Sequence, residues 1–401
     1  MEVQFGADTG TGGFYDKLEL AVRGRLLAEG TADSPILFTS RVSSPVPGAW
    51  GAIYLDQAAL SSSLNHVRVS GATTGLDSRQ TDVSIANSVF DQTGGGVFLV
   101  GPLSATVSDS RFSRGGNPGP SPFSLKGFGA AIENNGAGGS DTVSFERNTF
   151  VGNNRGLHLA AFQPIALRAN GNVVQNNSLG VYVEAVNSGW QIGLNDNSVV
   201  GNGTGVQTYV ASQAGAPSFQ ATGNNIYGNS TFDWDLHNWR DSSDAQFRDD
   251  LVAEGNWWGT TSPGEIAAHV RDGTDDFTRG VLDYDPFLTG PAPFAPAPDT
   301  AAPDTSITAG PSGTINSTSA SFSFSATEAG SGFECKLDAG AWAACSSPKE
   351  LTGLSEGSHT FSVRAKDAAG NTDASEATRS FTVDTAAPDT SITAGPSGTI
   401  N

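Results

Sequence analysis

Three stretches decide the fold: NTFVGNNRGLHL at 148–159, NVVQNNSLGVYV at 172–183 and NSVVGNGTGVQT at 197–208. Laid over one another, they share two elements, Asn-x-Φ-x-x-Asn and then Gly-Φ-x-Φ, where Φ is apolar. Asn148/Phe150/Asn153 returns as Asn172/Val174/Asn177, as Asn197/Val199/Asn202 and as Asn224/Ile226/Asn229, at offsets of 24, 25 and 27 residues. Ser88/Phe90 and Ser110/Phe112 are weaker earlier copies. The second element recurs at Gly96-Val97-Phe98-Leu99, Gly156-Leu157-His158-Leu159, Gly180-Val181-Tyr182-Val183 and Gly205-Val206-Gln207-Thr208.

A self-similar period of this length marks a stacked repeat. One unit with two short alternating strands cannot bury its own apolar side. Stacked coils can, because each strand then pairs with its equivalents ~4.8 Å above and below, and the alternate apolars form one continuous core. Asn148, Asn172, Asn197, Asn224 and Asn256 fall where a tight corner is expected. Asparagine suits such a corner, since it tolerates left-handed backbone and its amide can bond the next coil's amide. A sandwich would show strands 8–12 residues apart without this cadence. The expectation is an all-β chain whose residues 1–288 form a right-handed parallel β-helix, followed by a small β-sandwich.

The flanks carry a family resemblance. LAVRGRLLAEGTADSPILFTS at 20–40 and PGAWGAI at 47–53 look like the opening coils of bacterial right-handed parallel β-helix proteins of the pectate-lyase-like kind. GNWWG at 255–259 and YDPFL at 284–288 resemble their closing signature. The resemblance covers about residues 3–288 and is specific to architecture. Such helices host polysaccharide-degrading enzymes, carbohydrate-binding surface proteins and adhesins, so it implies no single reaction. Ser262-Pro263-Gly264-Glu265 reads as a capping box with Pro at the first helical position, which predicts a helix over 266–271 ended by Gly273. That helix would seal the last coil over Trp257 or Trp258. The other reading of the paired tryptophans is a sugar-stacking platform.

Farther on, DTAAPDTSITAGPSGTIN at 299–316 recurs residue for residue at 384–401, an offset of 85 residues. A unit of that size, rich in Ser, Thr and alternating apolars, suits a small sandwich. The expected organisation is a Pro/Ala-rich, semi-stiff linker at 289–303, one repeat at 304–385 and the truncated start of another at 386–401. The sequence thus reads as a fragment of a longer array. Strands are expected at 319–326, 333–338, 342–345, 359–366 and 379–384. Cys335 and Cys345 fit neither a zinc site nor a Cys-x-x-Cys pair, and a hairpin with its tip at 339–341 would set them opposite each other as a disulfide. FECKLD at 333–338, WAACSSP at 342–348 and GSHTFSVRAKDAAGN at 357–371 resemble bacterial immunoglobulin-like repeats. The resemblance implies a spacer or adhesive module. Residues 367–371 read as a Gly/Asn turn in preference to a Ca²⁺ loop.

The net charge is −20, from 41 acidic and 21 basic residues. That balance opposes nucleic-acid binding, which needs cations to neutralise phosphates. It suits a self-repelling protein outside the cell, or one that holds cations such as Ca²⁺. No apolar run reaches the length of a membrane span, and no signal-peptide pattern follows Met1. The missing signal peptide runs against secretion, but a chain cut from a longer repeat array can begin as artificially as it ends, so the expected location is still secreted or cell-surface. Phosphate-cradling loops, nucleophile elbows and His-x-x-x-His pairs are missing from the sequence.

Strand alternation projects an outer face. With Val97, Leu157, Val181, Val206 and Phe232 inward, one outward row is Phe98, His158, Tyr182, Gln207, Asp233. The next is Val100, Ala160, Glu184, Tyr209, Asp235, and Ala131 and Glu133 join these rows if Gly129 marks the same corner. The candidate ligand residues are His158, Tyr182, Glu184, Tyr209, Asp233 and Asp235. The leading expectation is a non-catalytic carbohydrate or surface contact, with Tyr182 and Tyr209 stacking on sugar rings. The alternative is a lyase or glycoside hydrolase acting on acidic glycans, with carboxylates such as Glu184 and Asp233 as acid and base or as Ca²⁺ ligands. The lyase form lacks a Lys or Arg in these rows to take a proton beside a uronate. A third reading makes the β-helix a rigid stalk.

Overall fold

Each period of the repeat lays down three strands, one for each of three parallel sheets. Thr149–Val151, Arg155–Ala161 and Ala166–Asn170 form one such coil. The computed structural model describes residues 2–5, 18–41, 46–56, 60–101, 104–116, 127–134, 141–186, 189–211, 218–238, 250–276, 279–328, 331–367 and 369–394. Among these, the sheets hold nine, ten and eight strands. The fold is therefore an all-β parallel solenoid, as expected, with a third strand per coil that the sequence pattern shows only weakly.

The register stacks like on like. Phe112 pairs with Phe150, Phe150 with Val174, Val174 with Val199 and Val199 with Ile226. The rings of Phe90, Phe112 and Phe150 stack at 5.1 and 5.0 Å inside the core. Each such fully buried ring contributes about 1.5–3 kcal/mol relative to exposure.

The corners are made in two steps. The left-handed residue is not the ladder asparagine but the one before it: Arg147, Gly171, Asp196, Gly223 and Gly255 all have positive φ. This corrects the corner role expected for asparagine. The turn is completed one residue earlier, which leaves the asparagine inward and buried. Asn148 Nδ2 donates to Asn172 Oδ1 (3.1 Å), Asn172 to Asn197 (2.9 Å), Asn197 to Asn224 (2.9 Å) and Asn224 to Asn256 (2.8 Å). A second ladder runs Asn153, Asn177, Asn202, Asn229 and ends on Asp233 Oδ1 at 2.7 Å. Beside it stands a glycine column. A Cβ on Gly156 would meet the Gly180 carbonyl at 2.7 Å, and one on Gly205 would meet that of Asp233 at 2.6 Å.

At the C-terminal end, Trp258 is buried between Trp234 (6.4 Å) and Tyr284 (5.9 Å), so it is core and no sugar platform. The helix spans Pro263–His269 with Pro near its start, but Ser262 makes no side-chain cap, and Glu265 accepts from Thr260 instead. It ends before Val270–Arg271, which is a strand of the ten-stranded sheet and not the helix's last turn. Beyond it the chain returns along the outside of the nine-stranded sheet. Ala292 N donates to Asn225 Oδ1 (2.8 Å), Ser198 Oγ donates to the Pro296 carbonyl, and Gln175 exchanges two bonds with the Asp299 backbone (3.1 and 3.3 Å). The Pro/Ala-rich stretch is thus held against three successive strands.

The chain divides into two units, Met1–Asp299 and Thr300–Asn401. The second is a small sandwich of a three-stranded and a five-stranded sheet. Phe322, Phe324, Phe361, Val363 and Phe381 fill its core, with Phe322 stacked on Phe361 at 4.3 Å. Thr305–Ala309 and Lys349–Thr352 complete the first sheet, and neither was expected as a strand. Cys335 and Cys345 form the disulfide, yet Cys335 pairs with Ala343 and Phe333 with Cys345. The bridge therefore crosses the hairpin diagonally, because the turn centres one residue before Gly340. Closing so short a loop contributes about 2–3 kcal/mol. The turn at 367–371 is closed on itself: Asn371 donates its backbone N–H to Asp367 Oδ1 and its amide to Oδ2, both at 2.8 Å.

Candidate functional site

The outer face of the ten-stranded sheet carries two rows of side chains at strand spacing. Register pairs Phe98 with Ala131, Ala131 with His158, His158 with Tyr182, Tyr182 with Gln207, Gln207 with Asp235, and Asp235 with Arg271. The neighbouring row runs Arg79, Val100, Glu133, Ala160, Glu184, Tyr209, His237.

This shifts the expected register by two residues at the last strand, Phe232–Asn238. Trp234, not Phe232, faces inward opposite Val206. Asp233 takes the glycine-column position, where it bonds the Asn229 amide, so it does not lie in the outward row. Burial pushes its carboxyl up, against the Asn229 hydrogen bonds. Asp235 moves into the row of Tyr182, and His237 takes the place expected for Asp235. The rows also contain Arg271 and Arg79, contrary to the expectation of no cation there.

Four rings run diagonally across the face. His158 stacks on Tyr182 (4.7 Å), Tyr182 tilts against Tyr209 (5.5 Å), and Tyr209 stacks on His237 (4.5 Å). The Arg155 guanidinium lies over Tyr182 at 4.6 Å and meets His158 Nδ1 at 3.0 Å. The rings of Tyr182 and Tyr209 are therefore in contact with protein groups and are only partly exposed. A sugar ring stacking on either tyrosine, as the sequence led one to expect, would compete with these contacts. Tyr182 Oη donates to Glu184 Oε2 at 3.2 Å.

The groups differ in what they can carry. His158 is buried, and burial with the nearby Arg155 charge lowers its pKa to about 3, so it is neutral and no proton shuttle near pH 7. Burial pushes Glu184 up, partly offset by the Tyr182 hydrogen bond and by Arg155. Burial and the Glu184 charge push Glu133 up, partly offset by Arg79. Asp235 goes the other way. Burial opposes its charge, but hydrogen bonds from His237 (2.7 Å), Arg271 (2.7 and 2.8 Å) and Gln207 (3.1 Å) hold it well below the usual carboxylate range. Arg279 adds a further bond at 2.9 Å. With both oxygens among guanidiniums, Asp235 does not fit a Ca²⁺ ligand, whose site needs free oxygens and no cations beside it.

Sequence reasoning missed Arg155, Arg271, Arg279 and His237. Arg271 was assigned to the helix, Arg279 comes from a non-repeating loop, and His237 was hidden by the register shift. A hollow of about 640 Å³ lies elsewhere, near Val252, Ala267, Val281 and Tyr284. Its Asp272 carboxylate is already bonded by Thr274 and the Leu282 N–H. Among the described residues no helix is long and apolar enough to cross a membrane. A comparison with models of protein families finds no match, and no curated protein matches the chain either.

Proposed function

We propose that this chain belongs to an extracellular or cell-surface protein whose solenoid binds carbohydrate without cleaving it, with immunoglobulin-like repeats as spacers. One observation carries the reading. Tyr182, Glu184, Gln207 and Tyr209 stand half-exposed beside one another on a rigid sheet, pinned by ring stacking and hydrogen bonds. Preorganised polar edges bind a hydroxyl-rich polymer with little ordering cost. The disulfide and the strongly acidic charge support a location outside the cytosol. The test is a glycan array probed with the purified chain and its Tyr182→Ala/Glu184→Ala variant. Saturable binding lost in the variant supports the reading, and undiminished binding by a folded variant overturns it.

A second reading has its own observation. Glu133 and Glu184 face the same side two strands apart, roughly 10 Å between backbones by strand spacing. Both are pushed toward the protonated form. Inverting hydrolysis uses a carboxyl pair about 6.5–9.5 Å apart, one protonated and one not. New reducing ends from a polysaccharide, abolished by Glu184→Gln, would establish hydrolysis. The lyase form has less support, because Arg271 and Arg279 are engaged by Asp235.

A further inference from the structure

The cations on this face are matched internally. Arg79 meets Asp77 at 3.3 Å, on a carboxylate with no exposed surface. Arg271 holds Asp235 through two bonds, and Arg279 bonds Asp235 and also meets Asp276 at 3.4 Å. Arg155 is spread over the Tyr182 ring and acts on Glu184 through space. These four guanidiniums are thus occupied by groups of the same face. The half-exposed carboxyls Glu133 and Glu184 stand in the middle of the strip, and neither has a salt bridge among the described residues.

A polyuronate or sulfated polymer would bring a new anion at every sugar or every second sugar. Bound here, its anions would lie beside Glu133 and Glu184, and each of the strip's four guanidiniums among the described residues already has a partner. Like charges brought together at an interface cost several kcal/mol, which is how surfaces reject the wrong partner. An uncharged glycan meets no such penalty, and its hydroxyls can donate to Glu184 and accept from Gln207 and the tyrosine hydroxyls.

We propose that the strip takes uncharged glycans and rejects acidic ones. The proposal rests on the reading of this strip as a carbohydrate site and adds the ligand class. It runs against the acidic glycan named in the alternative, enzymatic reading of the sequence.

The test is titration calorimetry of the full chain with uncharged gluco-, xylo- and manno-oligosaccharides and with oligogalacturonate and oligoalginate of equal length, at low and physiological salt. At least one uncharged series should bind at least about tenfold more tightly than either acidic one, with the gap widest at low salt, where charge is least screened. Glu133→Gln/Glu184→Gln should raise acidic-glycan affinity, because it removes the two carboxylates that repel the polymer's anions. Tyr182→Ala should lower binding of the uncharged series, which assigns it to the strip. If oligogalacturonate binds as tightly as the best uncharged ligand and Tyr182→Ala weakens both, the ligand class is wrong and the site stands. If the double variant leaves the gap unchanged, the charge argument is overturned. If no oligosaccharide binds, site and ligand class both fall.

Discussion

The asparagine ladders inside the solenoid and the ring strip outside it are the same device used to opposite ends. Both stack equivalent side chains of successive coils at strand spacing. In the ladder each asparagine is buried, and after the first of each column its oxygen accepts both the backbone N–H and the amide of its neighbour, as Asn197 Oδ1 does for Asn172 at 2.9 Å each. Nothing polar is left over, so the ladder is architecture. In the strip the rings and arginines satisfy one another, but the edges of Glu133, Tyr182, Glu184 and Tyr209 remain half-exposed. A polar stack that saturates itself holds the fold, and one that stops short is available to a ligand.

The largest effect should come from breaking the ladder in its middle. Asn197→Ala removes the acceptor of two buried donors of Asn172 and the donor to the Ala169 carbonyl. Urea unfolding should show a loss of about 2–4 kcal/mol. A loss under 1 kcal/mol would mean that the ladder is not what holds the corners.

Next comes the one strip member that behaves like the ladder. Asp235→Asn keeps the shape but takes the charge from between Arg271 and Arg279, and should cost about 1–3 kcal/mol, the lower end reflecting the partial exposure of Arg271. An unchanged melt would place Asp235 with the surface groups.

The pH response separates the two units. His158 is lowered to about 3, so the solenoid loses stability as pH falls from the ordinary histidine range through that value. Asp235 acts in the same direction: its contribution is present above the ordinary carboxylate range and is lost in stronger acid. In the sandwich, His359 Nδ1 faces the Asp338 carboxylate (2.8 Å) and Nε2 the Ser355 carbonyl (3.0 Å), two acceptors that favour the charged ring. The Asp338 hydrogen bond raises its pKa, so this contribution is present below about 6.5 and fades as pH rises through the raised value. Hydrogen exchange at pH 5 and pH 8 should show relatively better protection of 355–360 at pH 5 and of 155–161 at pH 8. The same direction in both would contradict these assignments.

Much of this was legible in the sequence, for a physical reason. Coil spacing, both asparagine columns and the inward apolars follow from a backbone period that each coil must repeat. The strip was half legible. His158, Tyr182, Glu184 and Tyr209 were placed because Gly156, Gly180 and Gly205 fix the register, since no Cβ fits below the next carbonyl. At the following coil Asp233 occupies the glycine position and the marker disappears, so Asp233 and Asp235 were projected two residues out of register and His237 was missed. Arg271 and Arg279 belong to the solenoid's closing segment, which repeats nothing, so no period could reveal them. The Pro/Ala-rich segment read as a linker, because its anchors on Asn225, Ser198 and Gln175 are bonds to its backbone, which composition does not encode.

The smallest expected effect on stability decides the most. Tyr209→Leu keeps an apolar side chain on the face and should change urea stability by under about 1 kcal/mol. Glycan binding by this variant, measured beside Asn197→Ala, tests the contrast directly. The contrast requires that Tyr209→Leu loses most of its affinity while remaining stable, and that Asn197→Ala is destabilised but binds normally per folded molecule. Full binding by Tyr209→Leu would contradict it.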